Sequence, residues 1–131
     1  MTKFVIYSYA LDRMERVIIS DKVFKIPKNL EPADYFKDCF GIINNKDSEV
    51  QKVVLKVDAF QSNYIRNLPL HDSQKETKRT DEYSIFEYHL KPEFDFEQEI
   101  FSNMDVMEVL EPLWLREEVK ERIKNLASKY L

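Results

Sequence analysis

The loop LPLHDSQKE holds side chains that could carry chemistry. Between a predicted helix end and a predicted strand lie His71, Asp72, Ser73 and Gln74. On residue types alone, Ser73 and His71 could form a nucleophile and its base, because an imidazole can accept a hydroxyl proton. The sequence shows neither a third group to orient the histidine nor a set of oxyanion donors. The favoured interpretation is a turn in which Asp72 or Ser73 hydrogen-bonds nearby backbone amides, and we predict no catalytic residue.

Basic residues are grouped in two places. Lys75, Lys78 and Arg79 lie on a predicted edge strand, while Lys25 and Lys28 mark a connector that contains proline. A local patch of this kind is enough for contacts to phosphate groups. Charged side chains on an edge strand also prevent unwanted strand pairing, which is the more common reason for their presence. Both interpretations stay open at this point.

Aromatic residues are concentrated in the segment YSIFEYHL. Tyr83, Phe86 and Tyr88 lie on a predicted central strand. RNA-recognition modules stack bases on aromatic residues of such a strand, but the glycine-bearing aromatic motif of those modules is absent here. The pattern therefore favours rings that pack in the core or at a dimer interface.

Motifs for metals and phosphate-bearing cofactors are excluded. His71, His89 and Cys39 do not have the spacing of metal ligands. The single glycine, Gly41, excludes a glycine-rich loop that cradles phosphates. We predict no metal site and no cofactor.

The elements that must position these side chains follow the order β-α-β-β-α-β. Alternating apolar residues predict strands, and apolar residues three and four positions apart predict helices. In chain order the predictions are strand 51–59, helix 60–68, a polar edge strand within 71–80, strand 83–90, helix 94–104 and strand 105–110. This order predicts an α+β, ferredoxin-like sandwich with two helices on one face of an antiparallel sheet.

Further elements flank this unit. Two short strands are predicted at 4–9 and 16–20, and such strands are marginal in water unless they pair with something else. A helix is predicted at 31–40, with Gly41 as its left-handed cap. Pro112 opens a final helix in which Trp114 is predicted to serve as an anchor.

Composition bounds the remaining classes. The chain has 131 residues, 44% of them hydrophobic, which suits one domain or one domain plus a piece of another. The net charge of −4 argues against a general binder of polyanions. No apolar run approaches the roughly 18 residues that span a bilayer. The start lacks the cleavage region of a signal peptide, and the single Cys39 allows no internal disulfide. We predict a cytoplasmic protein without membrane contact.

Several motif strings carry a family resemblance. They are YALDRME, a helix ending in FGI, VVLKVDAFQSNYIRNLPLHDSQ, and EYSIFEYHLKPEFDFEQEIFSNMDVMEVLEPLWLREEV. With these strings the chain resembles the C-terminal part of a WYL-domain transcriptional regulator. The resemblance implies the last strands of the WYL domain, an Sm-like β-barrel, at 1–20 and a linker at 21–30. It implies the ferredoxin-like WYL C-terminal extension at 31–131.

The resemblance also implies a function. In such regulators an N-terminal helix-turn-helix binds DNA, the WYL domain senses a ligand, and the extension contributes to dimerisation and sometimes to the ligand site. This chain contains neither the helix-turn-helix nor the Trp-Tyr-Leu motif. The expectation is therefore a module for effector sensing and dimerisation, not an enzyme. It would form a homodimer in the full-length regulator and reach DNA only through the missing helix-turn-helix.

Candidate ligand residues come from the resemblance and from the patterns above. Arg13 matches an arginine of the family's closing motif, near the aromatic Tyr9, and a guanidinium takes phosphate or carboxylate oxygens in pairs. Arg116 resembles an arginine after the family's final strand and should have an acidic partner such as Glu111, or a ligand. The predicted ligand-binding residues are Tyr9, Arg13, His71, Lys75, Arg79 and Arg116.

Other classes remain open. One is a free-standing ferredoxin-like module that binds a nucleotide, single-stranded nucleic acid or another small anion, for which filter binding across salt concentrations is the test. A less favoured class is a small hydrolase of the acylphosphatase kind. That enzyme would need an arginine in the loop after the first strand, where this chain has DAFQ at residues 58–61.

Overall fold

A four-stranded sheet forms the centre of the molecule. The computed structural model describes residues 6–131. The strands lie in the order β2-β3-β1-β4, and all three pairings are antiparallel. The elements are a 3-10 helix at Leu11–Arg13, α1 Pro32–Phe36, β1 Gln51–Asp58, α2 Ala59–Asn67, β2 Lys75–Arg79, β3 Tyr83–Leu90, α3 Phe94–Ser102, β4 Met107–Glu111 and α4 Leu113–Tyr130. The predicted α+β, ferredoxin-like fold with a C-terminal helix is confirmed.

The two faces of the sheet differ because side chains alternate along a strand. Leu55 of β1 stands opposite Phe86 on one side and Val109 on the other, so an apolar row crosses three strands. All three side chains are buried. The residues between them face the other way, among them Lys52 and Lys56, whose side chains are 45% and 40% exposed, and they form what we call the open face.

Helices α2 and α3 cover the apolar face. Ile65 from α2 and Phe96 and Ile100 from α3 join the same buried cluster as the strands. The buried Ser62 satisfies its hydroxyl by donating to the Val57 carbonyl at 2.9 Å. Leu115, fully buried, attaches the start of α4 to this cluster. Among residues 6–131 no helix combines the length and apolarity needed to cross a bilayer.

The N-terminal region differs from its prediction. Residues 6–20 contain the 3-10 helix but no strand, and the first part of the strand predicted at 4–9 lies outside the described residues. The physical reason is that two short strands need a further partner, and residues 6–131 provide none for them. We call residues 6–30 the N-terminal segment. Its exposed large apolar side chains are Ile6, Tyr7, Tyr9, Leu11, Met14, Val17, Ile18, Ile19, Val23, Phe24 and Ile26.

Helix α1 is also shorter than predicted. It ends at Phe36, and Cys39 then forms a bridge to Lys91 just after β3. Gly41 does not adopt the left-handed conformation expected of a helix cap. A Cβ at Gly41 would lie 2.5 Å from the Asp95 Oδ2 atom, so the glycine permits a close approach to α3.

Candidate functional site

The predicted ligand residues lie in separate parts of the molecule. Tyr9 and Arg13 belong to the exposed N-terminal segment. Lys75 and Arg79 are the ends of β2, at one edge of the sheet. Arg116 lies beside β4, the opposite edge. The sequence-based residues therefore do not converge on one pocket, and their ligand roles stay predictions.

His71 connects three segments of the chain. Its Nε2 lies 2.9 Å from the carbonyl oxygen of Lys37, to which it donates if that nitrogen carries the proton. Nδ1 is then free to accept from the Ser73 hydroxyl at 2.8 Å and the Ser73 amide at 3.1 Å. The Ser73 oxygen in turn accepts from the backbone amide of His89 at 2.9 Å. The Lys37 carbonyl is an orienting group that the sequence could not reveal, and the arrangement fastens α1 and the loop to β3.

Glu76 on β2 forms a dense polar network. Arg66 donates Nε and Nη2 to the two carboxylate oxygens of Glu76 at 2.9 and 2.7 Å. The buried Ser84 hydroxyl donates to the same carboxylate at 2.6 Å. These contacts, led by the hydrogen bond from Arg66, lower the pKa of Glu76 to about 2. The same pairing raises the pKa of Arg66.

Beside this network lies a small polar cavity of about 190 Å³. Arg66, Arg79 and Asp81 are among the residues that line it. Because Arg66 is neutralised by Glu76, Arg79 is the cation left in the cavity, and Asp81 shares that cavity with it. This balance gives little net attraction for an anion.

The aromatic residues of β3 divide between the two faces. Phe86 and Tyr88 are fully buried, which confirms the prediction that these rings pack in the core. Tyr83 lies on the open face, where the Lys56 and Lys78 ammonium groups stand 4.7 and 5.3 Å from its ring centroid. A stacking platform of several rings is therefore not formed by this strand.

A second opening lies between β4 and α4, and we call it the α4 groove. Its volume is about 310 Å³. The lining residues are Met104, Met107, Glu108, Val109, Arg116, Val119, Lys120, Ile123 and Lys124. Arg116 donates to Glu108 Oε1 at 2.8 Å and to the Val109 carbonyl. The acidic partner expected for Arg116 thus exists but is Glu108, while Glu111 pairs with Lys52 at 2.8 Å.

Trp114 and Arg122 also hold α4 in place, in addition to Leu115 and Arg116. The Trp114 indole donates to Gln51 Oε1 at 2.7 Å, which agrees with its predicted role as an anchor. Arg122 lies over the Phe101 ring, 4.4 Å from the centroid, and contacts Glu97 at 3.4 Å. Burial is the main reason that the pKa of Glu97 is raised, and the nearby Glu118 adds to it.

An acidic cavity of about 510 Å³ lies near the start of α4. Asp47, Glu49, Glu93 and Glu97 line it together with Trp114. Glu93 Oε1 is buried there without a hydrogen-bond partner among the described residues. These carboxylates are scattered in the sequence, so their spacing does not predict the cavity.

Comparison with known proteins places this architecture in a family. The family model of the WCX domain matches residues 49–127, which is more than half of the chain and includes all four strands. The chain belongs to the WCX domain family. The WCX match confirms the resemblance to the C-terminal part of WYL-type regulators. Comparison with curated proteins found no match.

WCX membership indicates a module of a WYL-type regulator. The matched residues contain the α4 groove, the His71–Ser73 contact and the Arg66–Glu76 pair, whereas the N-terminal segment and Lys37 lie outside them. Sequence reasoning singled out Arg116 but missed the rest of the groove. Its floor is assembled from β4, α4 and the loop before β4, and periodicity does not show how far apart these elements stand.

Proposed function

We propose that this WCX chain is a regulatory module that holds two protomers of a WYL-type transcription factor together, senses an effector and catalyses no reaction. The observation that supports the proposal is a contrast within the chain. Residues from β1 to α4 share one buried apolar cluster, whereas the N-terminal segment exposes its apolar side chains. Exposed apolar surface of this extent is typical of protein interaction sites.

The middle of the N-terminal segment carries the strongest exposure. Ile19 and Val23 are 98% and 96% exposed, and Phe24 is 81% exposed. Burying one side chain of this kind stabilises by about 1.5–3 kcal/mol. Association of two chains costs roughly 4–15 kcal/mol. A contact that buries most of the segment can therefore offset that cost, and a partner protomer is the cover we propose.

Effector sensing would act through this association. In the full regulator the module has two arrangements, and an effector that binds one of them better shifts the population toward it. The shift changes how the paired DNA-binding heads are spaced. The coupling is limited by the difference in the effector's affinity for the two arrangements.

Sedimentation velocity over a range of concentrations tests the proposal. We expect the chain to form a dimer, and Phe24→Ser to weaken dimerisation at least tenfold because a two-fold interface loses the ring twice. The matched control is Phe60→Ser, which removes a phenylalanine that is 74% exposed on α2. A chain that stays monomeric at every concentration, or equal effects of the two variants, would refute the proposed interface.

A further inference from the structure

The second half of α4 is packed incompletely against the rest of the molecule. Leu115 near its start is fully buried, but Ile123 is 44% exposed and faces the same openings as Met104. The α4 groove lies on the β4 side of these two residues, and a cavity of about 350 Å³ lies on the α3 side. Helix α4 therefore leaves a gap over apolar residues that a ligand could fill.

The floor of the α4 groove is apolar and adaptable. Met104 and Met107 contribute flexible thioether side chains, and Val109, Val119 and Ile123 complete it. Unbranched methionine side chains adjust to the shape of a ligand at low cost. The volume of about 310 Å³ is at the lower end of the range for small-molecule pockets.

The rim of the groove carries three basic side chains, each paired with a carboxylate, and only one of those carboxylates lines the groove. Arg116, Lys120 and Lys124 follow one another at intervals of one helical turn, about 6 Å apart along α4. The carboxylates that pair with the two lysines, Glu117 and Glu121, do not line the groove. The carboxylate that does line it, Glu108, is bonded to Arg116.

The apolar floor and the basic rim together favour one kind of ligand in the α4 groove over others. A second copy of the chain would bring the same three cations to the same place across a two-fold axis, and like charges would oppose the contact. A cationic ligand would be repelled as well. A molecule with an apolar body and an anionic end would satisfy floor and rim together.

We infer that the α4 groove binds a small amphipathic carboxylate, with its unbranched tail on the methionine floor and its head between Lys120 and Lys124. The inference rests on the proposed regulatory function, since it names the class of effector that the module senses. Filling the gap would pack the second half of α4 onto β4 and stiffen it.

Titration calorimetry of the full chain with decanoate, below the concentration at which it forms micelles, tests this inference. We expect saturable binding of decanoate, at least tenfold weaker binding of decyltrimethylammonium, and no binding of acetate. Those results separate the contribution of the charge from that of the tail. Equal affinity for the two charged amphiphiles, or no binding of decanoate, would overturn the inference.

Variants locate the site. Lys120→Gln with Lys124→Gln should weaken decanoate binding about fivefold to tenfold, the loss expected for two exposed charge contacts. Ile123→Ser should weaken it by removing part of the floor. The control is Glu117→Gln with Glu121→Gln. These substitutions lie outside the groove, release both lysines from their ion pairs and should leave the affinity for decanoate equal or higher. Binding unchanged in the lysine variant and in Ile123→Ser would overturn the assignment.

Two measurements keep this inference separate from the proposed function. Sedimentation without decanoate reports dimerisation alone, and calorimetry on Phe24→Ser reports the groove in a chain with a weakened interface. If the chain dimerises but decanoate does not bind, only the groove assignment is wrong. If decanoate binds a chain that never dimerises, the dimerisation proposal is wrong and the groove remains.

Discussion

Glu76 is the inward-facing residue of an otherwise exposed edge strand. Arg66 and Ser84 both bond to its carboxylate, and the pKa of Glu76 falls to about 2. An unfolded glutamate has a pKa of about 4.3. A lowered folded-state pKa means that the pair stabilises the fold fully above the unfolded pKa and loses this effect as pH falls toward 2.

Glu76→Gln should therefore change the pH dependence of stability. Between pH 5 and pH 2 we expect the free energy of unfolding, measured with urea, to fall on the order of 1–3 kcal/mol further for the unmodified protein than for the variant, after allowance for partial solvent exposure. Glu82→Gln, in the exposed turn after β2, is the control and should follow the unmodified protein. Parallel curves for Glu76→Gln and the unmodified protein would contradict the assignment.

At this scale the sequence predicted side-chain direction better than side-chain partners. Alternation correctly placed Phe86 and Tyr88 inside. It could not reveal that Arg66 reaches Glu76, because that pairing depends on how α2 lies across the sheet. The requirement for glycine at Gly41 likewise comes from Asp95 on another element.

Helix α1 depends on contacts outside itself. A helix of 5 residues does not form alone in water. Its neighbourhood is held by the bond between His71 and the Lys37 carbonyl and by the amide of Lys91 donating to the Asp38 carbonyl at 2.8 Å. The loop before β2 and the residue after β3 thus both attach the segment around α1 to the sheet.

His71→Ala should destabilise the protein by about 1–2 kcal/mol, since it leaves the Ser73 amide and the Lys37 carbonyl without their partner. The matched control is His89→Ala, because the exposed His89 ring contacts Glu87 at 3.0 Å and should contribute at most about 0.5 kcal/mol. Urea unfolding and amide exchange of residues 32–40 measure both effects. Equal losses in the two variants would show that the fastening role is wrong.

Elements were predicted well where periodicity was strong. The strands and helices between Gln51 and Leu110 appear in the predicted order, with shifts of about two residues at their ends. The predicted strands at 4–9 and 16–20 were not found within the described residues, and the helix at 31–40 was too long. Both errors arise where tertiary contacts, or their absence, override local preference.

The whole molecule divides into a packed unit and a segment outside it. The buried apolar cluster begins with Val53 and ends with Leu115, and residues 6–38 contribute no buried side chain. The stability of the packed unit should therefore not depend directly on the N-terminal segment. If the N-terminal segment affects stability, we expect it to do so through dimerisation of the chain.

Removal of residues 1–28 tests this division. The melting temperature of the full chain should rise with protein concentration, because dimerisation adds stability by mass action, whereas that of the shortened chain should not. At low concentration the two values should coincide. A shortened chain that melts far below the full chain under dilute conditions would place the segment in the packed unit.

At this largest scale the family resemblance and the residue pattern led to the same architecture by separate routes. Neither could predict the α4 groove. Its existence depends on the distance between α4 and β4, which the spacing of residues along the chain does not give. Within α4 the buried side chain is that of Leu115, near the start of the helix.

The contact between Arg116 and the Val109 carbonyl also affects self-assembly. Strand β4 is one border of the sheet and β2 is the other. A fibre that grows by strand addition needs a free acceptor row on both borders of every subunit. Because the Arg116 guanidinium donates to the Val109 carbonyl in the middle of β4, that carbonyl is not free to accept from an added strand. Strand addition at the β4 border is therefore disfavoured, and Arg116 limits the growth of a fibre by that route.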